Sequence, residues 1–299
     1  DFFGKPFWKT LVPLALSGLF FGLSIASKWT GVYNGVGLAV IFFWGIFRRY
    51  NLWKENGTGK ENFCKLLISV ASCLVFFVAI PLMIYYLSYI PYFAWDGGVT
   101  VKKVIEAAVG DYFTTGQMGG MLGYHGQPRL GMDHPYYSPW YEWPVIAKPM
   151  WYYDSSSDNA TIMAMGNPAV WWVGLIGLAG VVLLLIFRHV KSDVHLTEDR
   201  KLTGSVSLSL FPAADDARYG ILIICFLAQY LPWMLVTRGT YIYHYFPSVP
   251  FIILCTMLCL DKLSDRWKKV ALVVGSVLLA AALALTVYNM QTELAAGRS

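Results

Sequence analysis

Residues 66–95 read LLISVASCLVFFVAIPLMIYYLSYIPYFAW and include no Asp, Glu, Lys or Arg. A helix rises 1.5 Å per residue, so about 20 apolar residues cross the roughly 30 Å hydrocarbon core of a bilayer. The whole chain has the matching composition: 57% of its 299 residues are hydrophobic and 14% are charged, against about 25% charged residues in soluble proteins. This balance excludes a disordered chain and predicts an integral membrane protein.

Charge-free stretches recur along the chain, at 11–27, 31–47, 66–95, 159–187, 219–237, 239–260 and 270–292. Lipid offers no partners for backbone amides and carbonyls, so such segments must form helices unless they close into a barrel. The sequence therefore predicts an all-α polytopic membrane protein with about seven spans. Three spans fall in residues 1–95, a structured extracytoplasmic loop follows in 96–158, and four spans fall in 159–299.

The distribution of basic residues predicts the orientation. With a cytoplasmic amino end, 16 of the 23 Lys and Arg residues lie on the inner side, as the positive-inside rule requires. The loop 96–158 is then extracytoplasmic, and for a bacterial protein the membrane is the plasma membrane. The net charge of +5 is explained by this inner-side bias and does not indicate a nucleic-acid partner.

The loop 96–158 combines two patterns. Val101, Val104, Ile105 and Ala108 recur at helical spacing among charged residues, which predicts an interfacial helix. An aromatic run, HPYYSPWYEWP at 134–144, follows. One interpretation is a belt of aromatic rings at the headgroup level; the other is a ligand site, which also accounts for the histidine, the carboxylates and the prolines.

Parity places three polar segments on one membrane face, because odd-numbered spans all exit on the same side. Lys28 follows the first span, the aromatic run follows the third, and Arg238 with Tyr243 and His244 follows the fifth. Taken singly, Lys28 and Arg238 are equally well explained as anchors at the ends of spans. Together with His134 they suit an anionic ligand that is partly lipid, such as a polyprenyl phosphate.

Three motifs resemble the protein O-mannosyltransferase family. They are Ser27-Lys28-Trp29-Thr30-Gly31, the run 134–144 ending in Trp-x-x-Trp-Pro, and Arg238-Gly-Thr-Tyr-Ile-Tyr-His-Tyr-Phe-Pro247. The chain is most similar to the carboxyl-terminal part of bacterial members, which lack the MIR domain. The resemblance implies a GT-C-type transmembrane bundle. It also implies transfer of mannose from a polyprenyl-phosphate carrier to Ser or Thr hydroxyls of proteins, with inversion.

The sequence departs from the family at the catalytic base. Members carry an Asp-Glu pair in the first outer loop, and the outer segments of this chain hold no such pair. The resemblance therefore places the catalytic acidic pair upstream of Asp1. Asp96, Asp133 and Glu142 are outer-side carboxylates for which capping or structural pairing is the simpler interpretation.

The resemblance and the residue chemistry together predict a site. We expect Arg238 to be the main phosphate ligand, with Lys28, His134, Tyr243 and His244 as supporting donors. Trp140, Tyr141, Trp143 and Glu142 are predicted to bind the sugar or the acceptor. No metal or other cofactor is expected, because side-chain cations oppose the phosphate and the lipid-linked sugar is itself the substrate.

Two other classes of protein stay open. A transporter would carry ionisable residues near the midplane and paired broken helices, whereas the predicted spans are free of charge. A non-catalytic membrane subunit, or a truncated relative, would fit the missing acidic pair. The identity of the sugar, the acceptor and the oligomeric state, homo- or hetero-oligomeric, cannot be derived from these residues.

Overall fold

The structure of the protein is a computed structural model, in which two compact units are distinguished, Asp1–Pro128 and Arg129–Ser299. It describes residues 7–155, 160–192, 195–196, 202–203, 217–262, 269–271, 273–278, 280–281 and 284–285. Within these ranges six segments are long and apolar enough to cross a membrane. These segments are Phe7–Ser27, Trp29–Glu55, Asn62–Ser88, Pro168–Ile186, Ala217–Leu235 and Ile242–Asp261.

The chain is thus a multi-pass integral membrane protein, and the predicted helical fold class is confirmed. Six of the seven predicted spans correspond to the six segments. The seventh prediction, 270–292, lies partly outside the described residues.

The regular elements in the described part of the first unit are all helical. Its helices are α1 (Phe7–Ser27), α2 (Val32–Glu55), α3 (Gly59–Leu74), α4 (Ile80–Ser88), α5 (Val101–Val109), α6 (Tyr112–Thr115) and α7 (Gly120–His125). A 3₁₀ turn, Trp29–Gly31, joins α1 to α2, and a π-helical turn, Val75–Ala79, joins α3 to α4. The π-helical turn comes just before Pro81, which has no amide hydrogen to continue a regular α-helical ladder.

Small residues bring the first and third spans together. A methyl group at Gly18 would lie 2.7 Å from the carbonyl carbon of Phe76, and one at Gly22 would lie 2.9 Å from the Cα of Pro81. Glycines four residues apart on one helix face permit this close approach, as is common between helices in membranes. At the end of the span, the Trp29 Nε1 donates to the hydroxyl of Tyr85 at 3.0 Å.

The predicted interfacial helix is present as α5. Its first turn is capped by Thr100, whose hydroxyl accepts from the amide of Lys103 at 3.2 Å. The Lys103 ammonium also pairs with the Asp96 carboxylate at 2.8 Å. Val104 is buried while Lys102 is exposed, so α5 is amphipathic as the spacing predicts.

The second unit contains the three long helices α8 (Pro168–Ser192), α9 (Ala217–Tyr230) and α10 (Val249–Asp261). It also contains 3₁₀ segments at Trp140–Glu142, Leu231–Leu235 and Ile242–Ser248. Two short antiparallel hairpins, which the sequence analysis did not predict, complete it. The first pairs β1 (Met150–Ser155) with β2 (Ala160–Ala164), and the second pairs β3 (His195–Leu196) with β4 (Leu202–Thr203).

Helices α8 and α10 are in close contact through small residues. A methyl group at Gly177 would lie 2.6 Å from the Cα of Thr256. The Thr256 hydroxyl lies within hydrogen-bonding distance of the Val173 carbonyl, 3.2 Å, and the Cys259 thiol donates to the Gly177 carbonyl at 3.3 Å. This packing holds the carboxyl half of α10 against α8.

Candidate functional site

The candidate site lies in the second unit, at residues 236–244, which follow the 3₁₀ turn after α9 and include the first turn of the 3₁₀ helix before α10. We call this stretch the Arg238 segment. Residues 129–144, the aromatic loop, run alongside it. The Arg129 amide donates to the Thr237 carbonyl at 3.0 Å, and the Gly239 amide donates to the Leu130 carbonyl at 2.7 Å.

A second contact joins the same two segments at Ser138 and Thr240, which are both buried. The Ser138 amide donates to the Thr240 carbonyl at 2.9 Å, and the Thr240 hydroxyl donates back to the Ser138 carbonyl at 2.8 Å. This reciprocal pair satisfies buried backbone groups that would otherwise destabilise the fold. The sequence analysis missed both residues, because a Ser and a Thr 102 positions apart carry no local signal.

Gly239 is required where the two segments meet. A methyl group on it would overlap the Gly131 carbonyl, at 2.5 Å from its carbon, and would lie 3.0 Å from the Leu130 carbonyl oxygen. Only glycine lets the backbones approach this closely. The position of Arg238 therefore depends on its glycine neighbour.

Arg238 itself is half-buried. Its Nη1 donates to the Gly239 carbonyl at 3.4 Å, and its charge interacts with the Tyr243 side chain. Over the described residues, ion pairs join Lys102 with Glu106 and Lys103 with Asp96. Neither pair includes Arg238, so its charge is not neutralised by a described carboxylate.

Aromatic rings pack against one another within the Arg238 segment and beside it. The His134 ring meets Tyr241 edge-on at 5.4 Å between centroids, Tyr241 stacks on Tyr243 at 5.8 Å, and Tyr243 stacks on His244 at 4.2 Å. Tyr152 of β1 lies 6.1 Å from Tyr243, and burial raises the pKa of Tyr152. The structure thus brings together His134, Tyr243 and His244, three of the predicted phosphate-binding residues.

The two histidines differ in exposure. His134 is exposed, and its Nδ1 accepts from the Tyr136 amide at 3.2 Å, so the proton of the neutral ring is on Nε2. His244 is buried, and its Nδ1 contacts the backbone of Tyr241, with the amide at 3.1 Å and the carbonyl oxygen at 3.0 Å. His134 can therefore offer a donor to a ligand directly, whereas the visible contacts of His244 position the segment.

Trp143 is fully buried, which argues against its predicted direct contact with sugar or acceptor. Its Nε1 lies 3.1 Å from both the carbonyl and the hydroxyl of Ser138, and its own carbonyl accepts from Trp171 at 3.1 Å. Its ring packs against Trp233 and His244. Trp143 therefore joins the aromatic loop to the core.

The other predicted sugar- or acceptor-binding residues are accessible. Tyr141 is 61% exposed, and Trp140 and Glu142 are half-buried. Trp140 lies edge-on to Tyr230, whose hydroxyl donates to the Trp140 carbonyl at 3.0 Å. Burial, with smaller contributions from Tyr141 and Glu142, raises the pKa of Tyr137. The binding roles of Trp140, Tyr141 and Glu142 stay predictions.

Lys28 belongs to the first unit, between α1 and the turn Trp29–Gly31. Its amide donates to the Ser24 carbonyl at 3.0 Å. Its predicted convergence with Arg238 stays a prediction, because the two residues are in different units. Across the described ranges no group of three or more His, Cys, Asp and Glu side chains is arranged to hold a metal ion.

The fold and this geometry define a class of multi-span membrane protein. Its site is a segment in which an arginine precedes a buried glycine, and this segment lies against an aromatic loop. Residues 120–298 match the model of the carboxyl-terminal four-transmembrane region of protein O-mannosyltransferase. The chain belongs to the protein O-mannosyltransferase family. The resemblance inferred from the motifs is confirmed, and the GT-C type of transmembrane bundle stays what that resemblance implies.

Individual relatives of this chain are also named as protein mannosyltransferases. The polyprenol-phosphate-mannose protein mannosyltransferase of Corynebacterium glutamicum is 24% identical over 291 residues, which cover 89% of this chain and 49% of that protein. Its counterpart in Mycolicibacterium smegmatis is 22% identical, over 83% of this chain and 46% of that protein. The chain thus spans about half the length of these relatives.

A solved structure is also similar. It is a chain of the S. cerevisiae protein O-mannosyltransferase complex bound to the sugar donor, with 19% identity and a TM-score of 0.36. The match covers 53% of this chain and 20% of that chain.

Proposed function

We propose that the protein carrying this chain transfers a mannosyl group from a polyprenyl-phosphate carrier to Ser or Thr hydroxyls of acceptor proteins. The single observation that supports this most is the Arg238 segment. In this segment the arginine has no carboxylate partner among the described residues. His134 contacts the segment at Tyr241, and Tyr243 belongs to it. The chain belongs to the protein O-mannosyltransferase family. The bacterial relatives are named polyprenol-phosphate-mannose protein mannosyltransferases, which supports the donor and the transfer of mannose to protein.

The proposed reaction is a displacement with inversion at the anomeric carbon of the sugar. The acceptor oxygen forms a bond to this carbon, and the bond from the carbon to the phosphate oxygen breaks with its electron pair moving to the phosphate. The hydroxyl proton passes to a carboxylate, for which we propose the Asp-Glu pair expected ahead of Asp1. Arg238 stabilises the negative charge that develops on the departing phosphate.

The supporting residues divide by position. His134 and Tyr243 can donate hydrogen bonds to the phosphate, while His244 and Trp143 position the Arg238 segment. Trp140, Tyr141 and Glu142 lie on the accessible part of the aromatic loop, and we propose that they contact sugar or acceptor. The active face is extracytoplasmic, and the partners are the donor lipid, the acceptor protein, the bilayer and, in an oligomer, a further subunit.

The test is a transfer assay with the full-length protein in proteoliposomes. It uses radiolabelled polyprenyl-phosphate mannose and a Ser- and Thr-rich acceptor peptide. We expect Arg238→Gln to lower turnover by about 10²- to 10³-fold, the usual loss when a donor to developing charge is removed. Arg218→Gln, the same change in the first turn of α9, serves as the control and should leave turnover unchanged.

Other outcomes identify the alternatives. Wild-type protein that transfers sugar only with a co-purified partner would indicate a non-catalytic subunit. Solute flux through the proteoliposomes without any sugar transfer would indicate a transporter. Retention of mannose configuration in the product would contradict the inverting displacement.

A further inference from the structure

A second arginine, Arg129, lies directly across from Arg238. The amide of Arg129 bonds to residue 237 and the carbonyl of residue 130 accepts from residue 239, so the backbones of the two arginines are adjacent. Strands joined by backbone hydrogen bonds in a β-sheet lie about 4.8 Å apart, and the two hydrogen bonds here bring these backbones into similar proximity. Because an arginine side chain is longer than that spacing, both guanidinium groups can reach one phosphate.

The backbone of Arg129 is held in an uncommon conformation. Its φ is 64°, in the left-handed region that costs a non-glycine residue free energy. The hydrogen bonds to residues 237 and 239 hold it there. An arginine at a position that favours glycine or asparagine indicates a use for its charge.

The charges of the pair are unbalanced. Arg129 is exposed and Arg238 half-buried, and the ion pairs found among the described residues include neither. Like charges on side chains of adjacent backbones repel each other. A bound anion would remove that repulsion, and paired guanidinium groups are well suited to phosphate oxygens.

We infer that Arg129 is a second phosphate ligand, acting mainly on the charge that appears when the sugar leaves. This inference rests on the proposed function. The donor is a phosphodiester with one negative charge, whereas the released polyprenyl phosphate is a monoester with close to two. Arg238 suits the single charge of the donor, and a second arginine suits the additional charge of the released phosphate. Arg129 therefore favours the transition state and the product over the donor.

The test measures kcat, the KM for the donor and the Kd for polyprenyl phosphate in the full-length protein. For Arg129→Gln we expect kcat to fall and the product Kd to rise by about 10- to 100-fold, the range for one charge-assisted hydrogen bond. The donor KM should change less than about threefold. Arg129→Lys should recover part of the loss, and Lys148→Gln, which removes another cation of the predicted outer loop 96–158, should match the wild type.

A second variant separates charge from folding. Arg129→Gly relieves the backbone strain, so its thermal midpoint should equal or exceed that of the wild type, while its kcat falls as in Arg129→Gln. Unchanged kcat and product Kd in both variants would overturn the inference, as would equal rises in KM and Kd at constant kcat. Absence of transfer by the wild type would contradict the proposed function instead, and the product Kd would still decide whether Arg129 binds phosphate.

Discussion

Replacing Gly239 by alanine should separate the Arg238 segment from the aromatic loop. The added methyl would overlap the Gly131 carbonyl and lie 3.0 Å from that of Leu130. Both carbonyls belong to backbone that is held by the hydrogen bonds from Gly239 to Leu130, 2.7 Å, and from Arg129 to Thr237, 3.0 Å. Neither carbonyl can therefore move away without weakening these hydrogen bonds. The left-handed region is not needed at Gly239, so the effect is purely steric.

The expected cost follows from these contacts. Overpacking in a well-packed site destabilises by about 1–3 kcal/mol. Loss of the bond from the Gly239 amide to Leu130 adds about 0.5–1.5 kcal/mol. Together they lower the free energy of unfolding of the second unit by about 2–4 kcal/mol, and the displaced Arg238 should lower transfer activity as well.

The assay is a thermal unfolding series in detergent, run beside the transfer assay. Gly45→Ala is the matched control, because nothing lies within 4 Å of the added methyl in α2, and alanine is favoured over glycine inside a helix by about 1 kcal/mol. A Gly239→Ala protein with the melting midpoint and turnover of the wild type would refute the proposed approach of the two segments.

Three further predictions concern the same unit. Gly177→Ala should destabilise the contact of α8 with α10 by about 1–3 kcal/mol, because the methyl would lie 2.6 Å from the Thr256 Cα; an unchanged midpoint in the same unfolding series would contradict this packing. Trp143→Phe should lower stability by about 1–3 kcal/mol through loss of its buried Nε1 contacts with Ser138, whereas Tyr141→Ala should not; a Trp143→Phe protein of normal stability with a raised acceptor KM would restore the predicted sugar-binding role. Thr240→Val should cost about 0.5–1.5 kcal/mol and Thr240→Ser much less, since serine keeps the bond to the Ser138 carbonyl; equal losses in chemical unfolding would show that the bond does not stabilise the contact.

The spans were predictable because a bilayer demands long charge-free helices. Windows such as 66–95 have a length and composition that few other folds require. The turn at Lys28 was predictable for the same reason, as a charge between two apolar stretches. The π-helical turn at Val75–Ala79 and the hairpin of β1 with β2 were not, because local backbone adjustments and cross-strand pairing leave little trace in composition.

The proximity of the predicted site residues was predictable only in part, and their roles stay predictions. Charge and motif pointed to Arg238, and the structure places His134 beside its segment and Tyr243 within it. Burial separates Trp143 from Tyr141 within three residues, although both are large aromatic residues that serve cores and binding sites equally well. The adjacency of Arg129 to Arg238 depends on a backbone pairing 109 residues apart in sequence.

The most direct test of the central claim is the affinity of the full-length protein for polyprenyl phosphate compared with the same polyprenol without phosphate. If Arg238 binds the phosphate, the wild type should prefer the phosphate form, and Arg238→Gln should lose most of that preference while its affinity for the alcohol is unchanged. Equal preference in the wild type and in Arg238→Gln would contradict the claim.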